Sequence, residues 1–367
     1  MKLITVPEQG VEPLLAAING AKKSIEIAIF RFDRKDLQSA LTSAAARGVR
    51  VNALIADSNR GGEKLLRALE MRFLDAGITV ARTANDLVRY HNKMMIVDRE
   101  GLYVLSFNFT HLDTRRSRGF GIFTTDAALI QEAAKLFEAD SARTKYKPEL
   151  AKFVVSPANA RDELREYLGD ARKQLLIYDP EISDPEMLRV LKERAKAGVE
   201  IRVIGRVKKC EDFDVRKLRA LRLHTRTIVR DSRDAFVGSQ SLRALELDHR
   251  REVGIVVGDS RVVKTIEATF EADWQGKASA EAAEAQEDEK NEASREQTET
   301  KTAEVLMKEL RPVARTVKQM VKKVVAKAGD EAIHDDNVKH VVKKIVKKAV
   351  KEAVSELDGS DGERKTA

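Results

Sequence analysis

Tyr90–Asp98 reads YHNKMMIVD and Leu223–Asp231 reads LHTRTIVRD, so both stretches fit His-x-(Lys/Arg)-x-x-x-x-Asp. Each sets an imidazole two residues before a cation, His91 before Lys93 and His224 before Arg226. The surrounding Met, Ile and Val predict a strand, in which residues two apart share a face. A histidine and a cation side by side are poor material for an apolar core, so a cleft is the expected place for them. The match continues in register. Ser106 and Ser239 stand fifteen residues after the histidines, Asn108 and Ser241 seventeen after, and Gly119 and Glu252 twenty-eight after.

Brought together across a two-fold axis, these residues would set two histidines around a pocket lined by Lys93, Arg226, Asn108, Ser106, Ser239 and Ser241. Cations, amides and hydroxyls of this kind suit a phosphate. One neutral imidazole can attack phosphorus while the other, protonated, gives its proton to the leaving oxygen. Water or an alcohol then displaces the phosphohistidine, with the second histidine as base. The cations already balance the developing charge, and the six histidines show no metal-ligand spacing, so neither metal nor cofactor is expected. Asp98 and Asp231 lie seven residues after their histidines, and strand alternation predicts the opposite face and a structural role.

The elements that must position this set repeat. AKKSIEIAIF from Ala21 aligns with ARKQLLIYDP from Ala171, and Ala44–Ile55 with Arg194–Gly205, at a constant offset of 150. Each copy reads as an apolar strand, an amphipathic helix, a glycine stop and an alternating strand, a β-α-β unit. From the histidines to the LFEAD and TFEAD segments ending at Asp140 and Asp273 the offset is 133. Duplication with packing about a pseudo-two-fold axis is the expectation.

His91, Lys93, Asp98, Ser106 and Asn108, with His224, Asp231, Gly238 and Ser239, resemble the doubled His-x-Lys-x4-Asp-x6-Gly-Ser-x-Asn motif of the phospholipase D superfamily. The resemblance spans about residues 5–275. It implies an α/β fold of two tandem α/β/α sandwich domains and phosphodiester hydrolysis or transfer through a phosphohistidine, usually without metal. The chain departs from the motif at Leu105 for Gly, Arg226 for Lys and Ser241 for Asn. The resemblance also implies that Glu252 orients the histidine of its own half, His224, and that Gly119 leaves His91 without such a partner. A carboxylate beside His224 would raise its pKa, making His224 the acid and His91 the nucleophile.

Composition places the chain among anion binders without choosing a partner. Its net charge is +8, with 43% hydrophobic and 34% charged residues. That balance favours acidic lipid surfaces or nucleic acid. The lone Cys210 forms no intrachain disulfide and reads as an ordinary thiol in a reducing compartment. No apolar run reaches membrane-span length and MKLITVPEQG lacks a leader's apolar core, so a cytoplasmic protein, peripheral to the membrane, is expected. The expected organisation is a first repeat over 1–148, a second over 149–277, an acidic flexible linker over 278–301, a basic amphipathic helical tail over 302–358 and a disordered terminus over 359–367. In the tail, Leu306, Leu310, Val313, Val317, Met320 and Val324 form one stripe opposite lysines and arginines. Membrane docking, self-association and loose nucleic-acid binding all fit such a helix. The leading function is cleavage or transfer at a phospholipid headgroup phosphodiester, as in a phospholipase D or a cardiolipin synthase. A nuclease of the same superfamily and a catalytically silent phosphate-binding module with an assembly tail are the competing readings.

Overall fold

The structure, a computed structural model, describes residues 1–58, 63–208 and 212–276. Cys210, the linker, the basic tail and the terminus lie outside the described residues. The described part falls within one compact unit, Met1–Ala283.

Two mixed sheets carry the architecture. The first runs, in spatial order, Lys2–Val6, Ser117–Thr124, Gly101–Leu105, Met94–Val97, Ser24–Ile29, Arg50–Ile55 and Thr79–Arg82. The second runs Phe153–Val155, Val253–Val257, Asp234–Gly238, Arg226–Arg230, Gln174–Ile182, Glu200–Val207 and Asp214–Arg216. The orders are the same, strand for repeated strand. Ser24–Ile29 pairs parallel with Arg50–Ile55 and antiparallel with Met94–Val97. Gln174–Ile182 does the same with Glu200–Val207 and Arg226–Arg230.

Local chemistry explains the elements. SIEIAI is buried at every position, as a strand covered on both faces must be. The helix Pro185–Lys196 begins with Pro185 after an Asp184 cap, whose carboxylate accepts from the amides of Glu186 and Met187. Gly48 and Gly198, offset by 150, follow the equivalent helices Lys35–Ala46 and Pro185–Lys196 at φ +89° and +88°, where an L side chain would be strained.

Three cores result. One packs Lys35–Ala46 and its neighbours on the outer face of the first sheet, and another packs Pro185–Lys196 on the outer face of the second. The third lies between the sheets and draws on both repeats, among them Phe120, Tyr178 and Phe270, with the helices Ala127–Ala142 and Ser260–Trp274. This shared core is what presses the two halves together. Phe120 and Tyr178 meet edge to face at 5.7 Å across it.

Candidate active site

Short strand exchanges bring the histidines to the junction. Arg89–Tyr90 pairs parallel with Arg250–Arg251, and Arg222–Leu223 with Ser117–Arg118. His91 then donates its main-chain N–H to the Arg251 carbonyl at 2.7 Å. His224 and Thr225 donate to the Arg118 carbonyl at 3.3 and 3.0 Å. The same two arginines reach across the halves with their side chains. Arg118 binds Asp273 through Nε and Nη2 at 2.7 and 3.0 Å, and Arg251 binds Asp140 through Nε at 3.1 Å. Each histidine therefore hangs from a residue of the opposite repeat that is itself clamped by a buried carboxylate.

This crossing corrects the expected partner of Glu252. Its Oε2 lies 2.7 Å from Nδ1 of His91, not beside His224. The residue after Arg251 faces the histidine hung from Arg251, and the residue after Arg118, opposite His224, is Gly119. A Cβ there would come within 2.7 Å of Val6 Cγ2 and 3.0 Å of Phe107, so that ground is already filled. His224 is the histidine without a carboxylate on Nδ1, and that atom is buried with no hydrogen-bond partner among the described residues. The expected elevation of its pKa by Glu252 falls with the pairing.

The strand expectation also needs correction. His91 and Lys93 precede the strand Met94–Val97, and His224 precedes Arg226–Arg230. In each half the cation folds back on its own histidine: Lys93 Nζ donates to the His91 carbonyl, and Arg226 Nη1 donates to that of His224 at 2.6 Å. Asp98 and Asp231 are not strand residues facing away but turn residues, with φ +55° at each. Asp98 accepts from the amides of Lys22, Lys23 and Ser24, and Asp231 from those of Arg172, Lys173 and Gln174. Each carboxylate ties the start of the first repeated strand to the end of the histidine strand.

The remaining predicted residues divide in two. Ser241 stands beside Arg226, and Asn108 beside Asp113. The Asn108 amide nitrogen donates to Asp113 at 2.6 Å, and Ser241 Oγ accepts from Arg226 Nε at 3.1 Å. Ser106 and Ser239 are fully buried, and their hydroxyls are taken by the main chain of the adjacent strand. Ser106 Oγ accepts from Phe120 N at 2.9 Å and Ser239 Oγ from Val253 N at 3.2 Å. The motif departure at Leu105 is absorbed opposite it. Its cross-strand partner is Gly121, where a Cβ would lie 2.6 Å from Leu105 Cδ2.

Two carboxylates of the site were not singled out in the sequence. Asp113 places Oδ2 3.5 Å from His224 Nε2 and takes Arg222 Nη2 on Oδ1 at 2.6 Å. Its counterpart at the same offset of 133, Glu246, accepts from the Ser241 amide at 2.7 Å and from Arg250 at 3.1 Å. The matching offset was the available signal. Phe30, edge-on to His91 at 4.5 Å, closes another side of that ring.

Electrostatics follow from burial. Both imidazoles lie well below their ordinary pKa: burial disfavours the cation at each, and Lys93 and Arg226 repel a proton from both. Asp113 opposes the shift at His224. Burial lowers Lys93 to about 7 and raises Glu252 above the usual carboxylate range. At Asp113 burial also favours the neutral acid, but His224, Arg222 and Asn108 outweigh it and hold the carboxyl low. A neutral His91 whose Nδ1–H is held by Glu252 keeps its lone pair on Nε2. That lone pair lies in the field of two cations, Lys93 and Arg226, which the second imidazole shares. Among the described residues no group of His, Cys, Asp and Glu has the arrangement of a metal centre.

The family model described as cardiolipin synthase, PLD-like domain, matches residues 14–141. No curated protein matches the sequence. Among solved structures, polyphosphate kinase from Porphyromonas gingivalis superposes with a TM-score of 0.63 at 20% identity, over 75% of this chain and 47% of that one. This chain thus spans about half the length of that kinase. Phosphatidylserine synthase from Haemophilus influenzae Rd KW20 superposes with a TM-score of 0.54 at 10% identity, over 74% of this chain and 85% of that one. At these identities the likeness is one of fold.

Proposed function

We propose that the chain, whose residues 14–141 match a PLD-like domain model, is a member of the phospholipase D superfamily and cleaves or transfers phosphodiesters at phospholipid headgroups through a phosphohistidine on His91. The observation that carries this reading is the 2.7 Å contact between Glu252 and His91 Nδ1, which reserves Nε2 for attack. Lys93 and Arg226 balance the phosphoryl charge, with Ser241, beside Arg226, and Asn108, beside Asp113, as further donors. His91 Nε2 forms the bond to phosphorus as the bond to the leaving oxygen breaks. His224 gives that oxygen its proton from Nε2. Asp113, 3.5 Å away, favours the protonated form that burial alone disfavours. The anionic substrate adds to that field and restores charge to Lys93. Water or an alcohol then attacks phosphorus, gives its proton to His224 and releases His91. The positive charge comes from side chains, so turnover in chelator is expected.

The lipid assignment is supported by the cardiolipin-synthase description of the matching model and by the +8 net charge. The test is a panel in EDTA: phosphatidylglycerol and phosphatidylcholine vesicles, single-stranded DNA and RNA, and bis-p-nitrophenyl phosphate. Headgroup release by the wild type, with His91→Ala and His224→Ala at background, is expected. Cleavage of nucleic acid alone would replace the lipid assignment by a nuclease. A wild type no better than His91→Ala on every diester would make the protein a silent binding module.

A further inference from the structure

The two halves differ in the space between each sheet and the long helix that covers it. In the second half Trp274 stacks on Phe270 at 5.7 Å and 18°. Arg202 lies over both rings, 5.6 Å from each, and pairs with Glu271. Arg216, on the edge strand, covers Trp274 at 4.4 Å. The repeat offsets and the strand registers place Ser141 where Trp274 stands, Asn52 where Arg202 stands and Ala81 where Arg216 stands. Three large side chains are thus replaced by three small ones. The result is a cavity of about 490 Å³, lined by these three residues together with Phe137, the counterpart of Phe270. It opens to solvent beside the exposed Arg99.

The wall of this cavity is not merely apolar. Glu26 takes the place of Leu176 and is buried, 5% exposed. Its Oε1 binds Arg99, but among the described residues Oε2 has no hydrogen-bond partner, and neither has Ser141 Oγ. A buried carboxylate oxygen left unpaired is costly, and a donor that reaches it gains accordingly. Glu26 and Asn52 lie near the start of their strands, at the end opposite Phe30 and His91, so the cavity is separate from the phosphate site.

We propose that this cavity is a binding site for a small aromatic compound carrying an amino or ammonium group. The ring would lie on Phe137 where the second half lays its own indole, and the N–H would reach Glu26 Oε2. The volume suits a ligand of one or two fused rings. The second half fills the same space with a flat ring and a cation, the indole of Trp274 and the guanidinium of Arg202, whose partner Glu271 corresponds to Glu138 at the edge of the cavity. Glu26 adds a carboxylate where the second half has Leu176.

Tryptamine is the probe, titrated into the full-length protein by calorimetry and saturation-transfer NMR, with indole-3-propionate as its anionic counterpart. Saturable binding of tryptamine, about tenfold or more tighter than indole-3-propionate, is expected from a charge-assisted hydrogen bond. Ser141→Trp should abolish it by refilling the cavity as the second half does, and Glu26→Gln should weaken it about tenfold. His91→Ala should leave it unchanged. Thermal melts report whether each variant folds. Should Ser141→Trp fail to fold, Asn52→Arg supplies a second way to fill the space. No saturation at millimolar tryptamine, equal affinity for the two probes, undiminished binding to a folded filled variant or loss of binding in His91→Ala would each overturn the assignment.

Discussion

Replacing Glu252 by Gln removes one charge from a contact 2.7 Å long and leaves the shape of the side chain intact. Glu252 is wholly buried, so water cannot take its place. A hydrogen bond to a charged partner contributes roughly 1.5–3 kcal/mol. Enclosure places this one in the upper half, about 2–3 kcal/mol. The carboxylate matters most when positive charge develops on the imidazole, as it does once Nε2 bonds to phosphorus. The loss should therefore fall on the transition state, roughly 30- to 150-fold in kcat. KM should move less than about threefold, because Lys93 and Arg226 still hold the phosphate. Steady-state hydrolysis of bis-p-nitrophenyl phosphate in EDTA measures both constants, and a thermal melt shows whether the variant is folded. A folded Glu252→Gln enzyme keeping more than about a third of wild-type kcat would refute the reasoning that ties this carboxylate to the nucleophile.

Other perturbations follow from the same geometry. Arg118→Leu strips Asp273 of its buried guanidinium and should cost about 3–5 kcal/mol in urea unfolding, more than an average core substitution. At Asp98, burial works against ionisation, but the amides of Ser24, Lys23 and Lys22 outweigh it and lower the pKa. Its stabilising effect is then complete above the unfolded value near 3.9 and lost as pH falls through the lower folded value, so the gap between wild type and Asp98→Asn should close in melts taken toward pH 2. Asp179 is raised to about 6 by burial, so the folded protein holds a proton there that the unfolded chain releases above about pH 3.9. Stability should fall as pH rises from about 4 to 6, by about 2–3 kcal/mol, and Asp179→Asn should lack that slope.

The repeat was legible because duplication leaves two constant offsets, and the offsets carry the fold: one β-α-β unit twice, then one histidine hairpin twice. What the offsets could not show is which half each side chain serves. Glu252 was assigned to His224 because the two share a repeat. The parallel pairing of Arg250–Arg251 with Arg89–Tyr90 instead hands it to His91. That pairing involves two residues on each side, too short to leave a periodic pattern. Asp98 and Asp231 were placed on strands by counting, whereas both sit in turns with positive φ that end those strands. Asp113 and Glu246 were visible as a matched pair of acids, yet nothing in a lone carboxylate says whether it caps a loop or faces a histidine. The contrast between Trp274 and Ser141 also lay in plain view, but only the packing of Phe270 shows that the difference leaves a cavity.

The most direct test of the account is to quench the enzyme in mid-turnover on a radiolabelled phosphodiester and map the bound label. An acid-labile, alkali-stable phosphoryl group on the peptide bearing His91, absent from His91→Ala and retained longer in His224→Ala, is the predicted result. Label on His224, or undiminished turnover by His91→Ala, would contradict it.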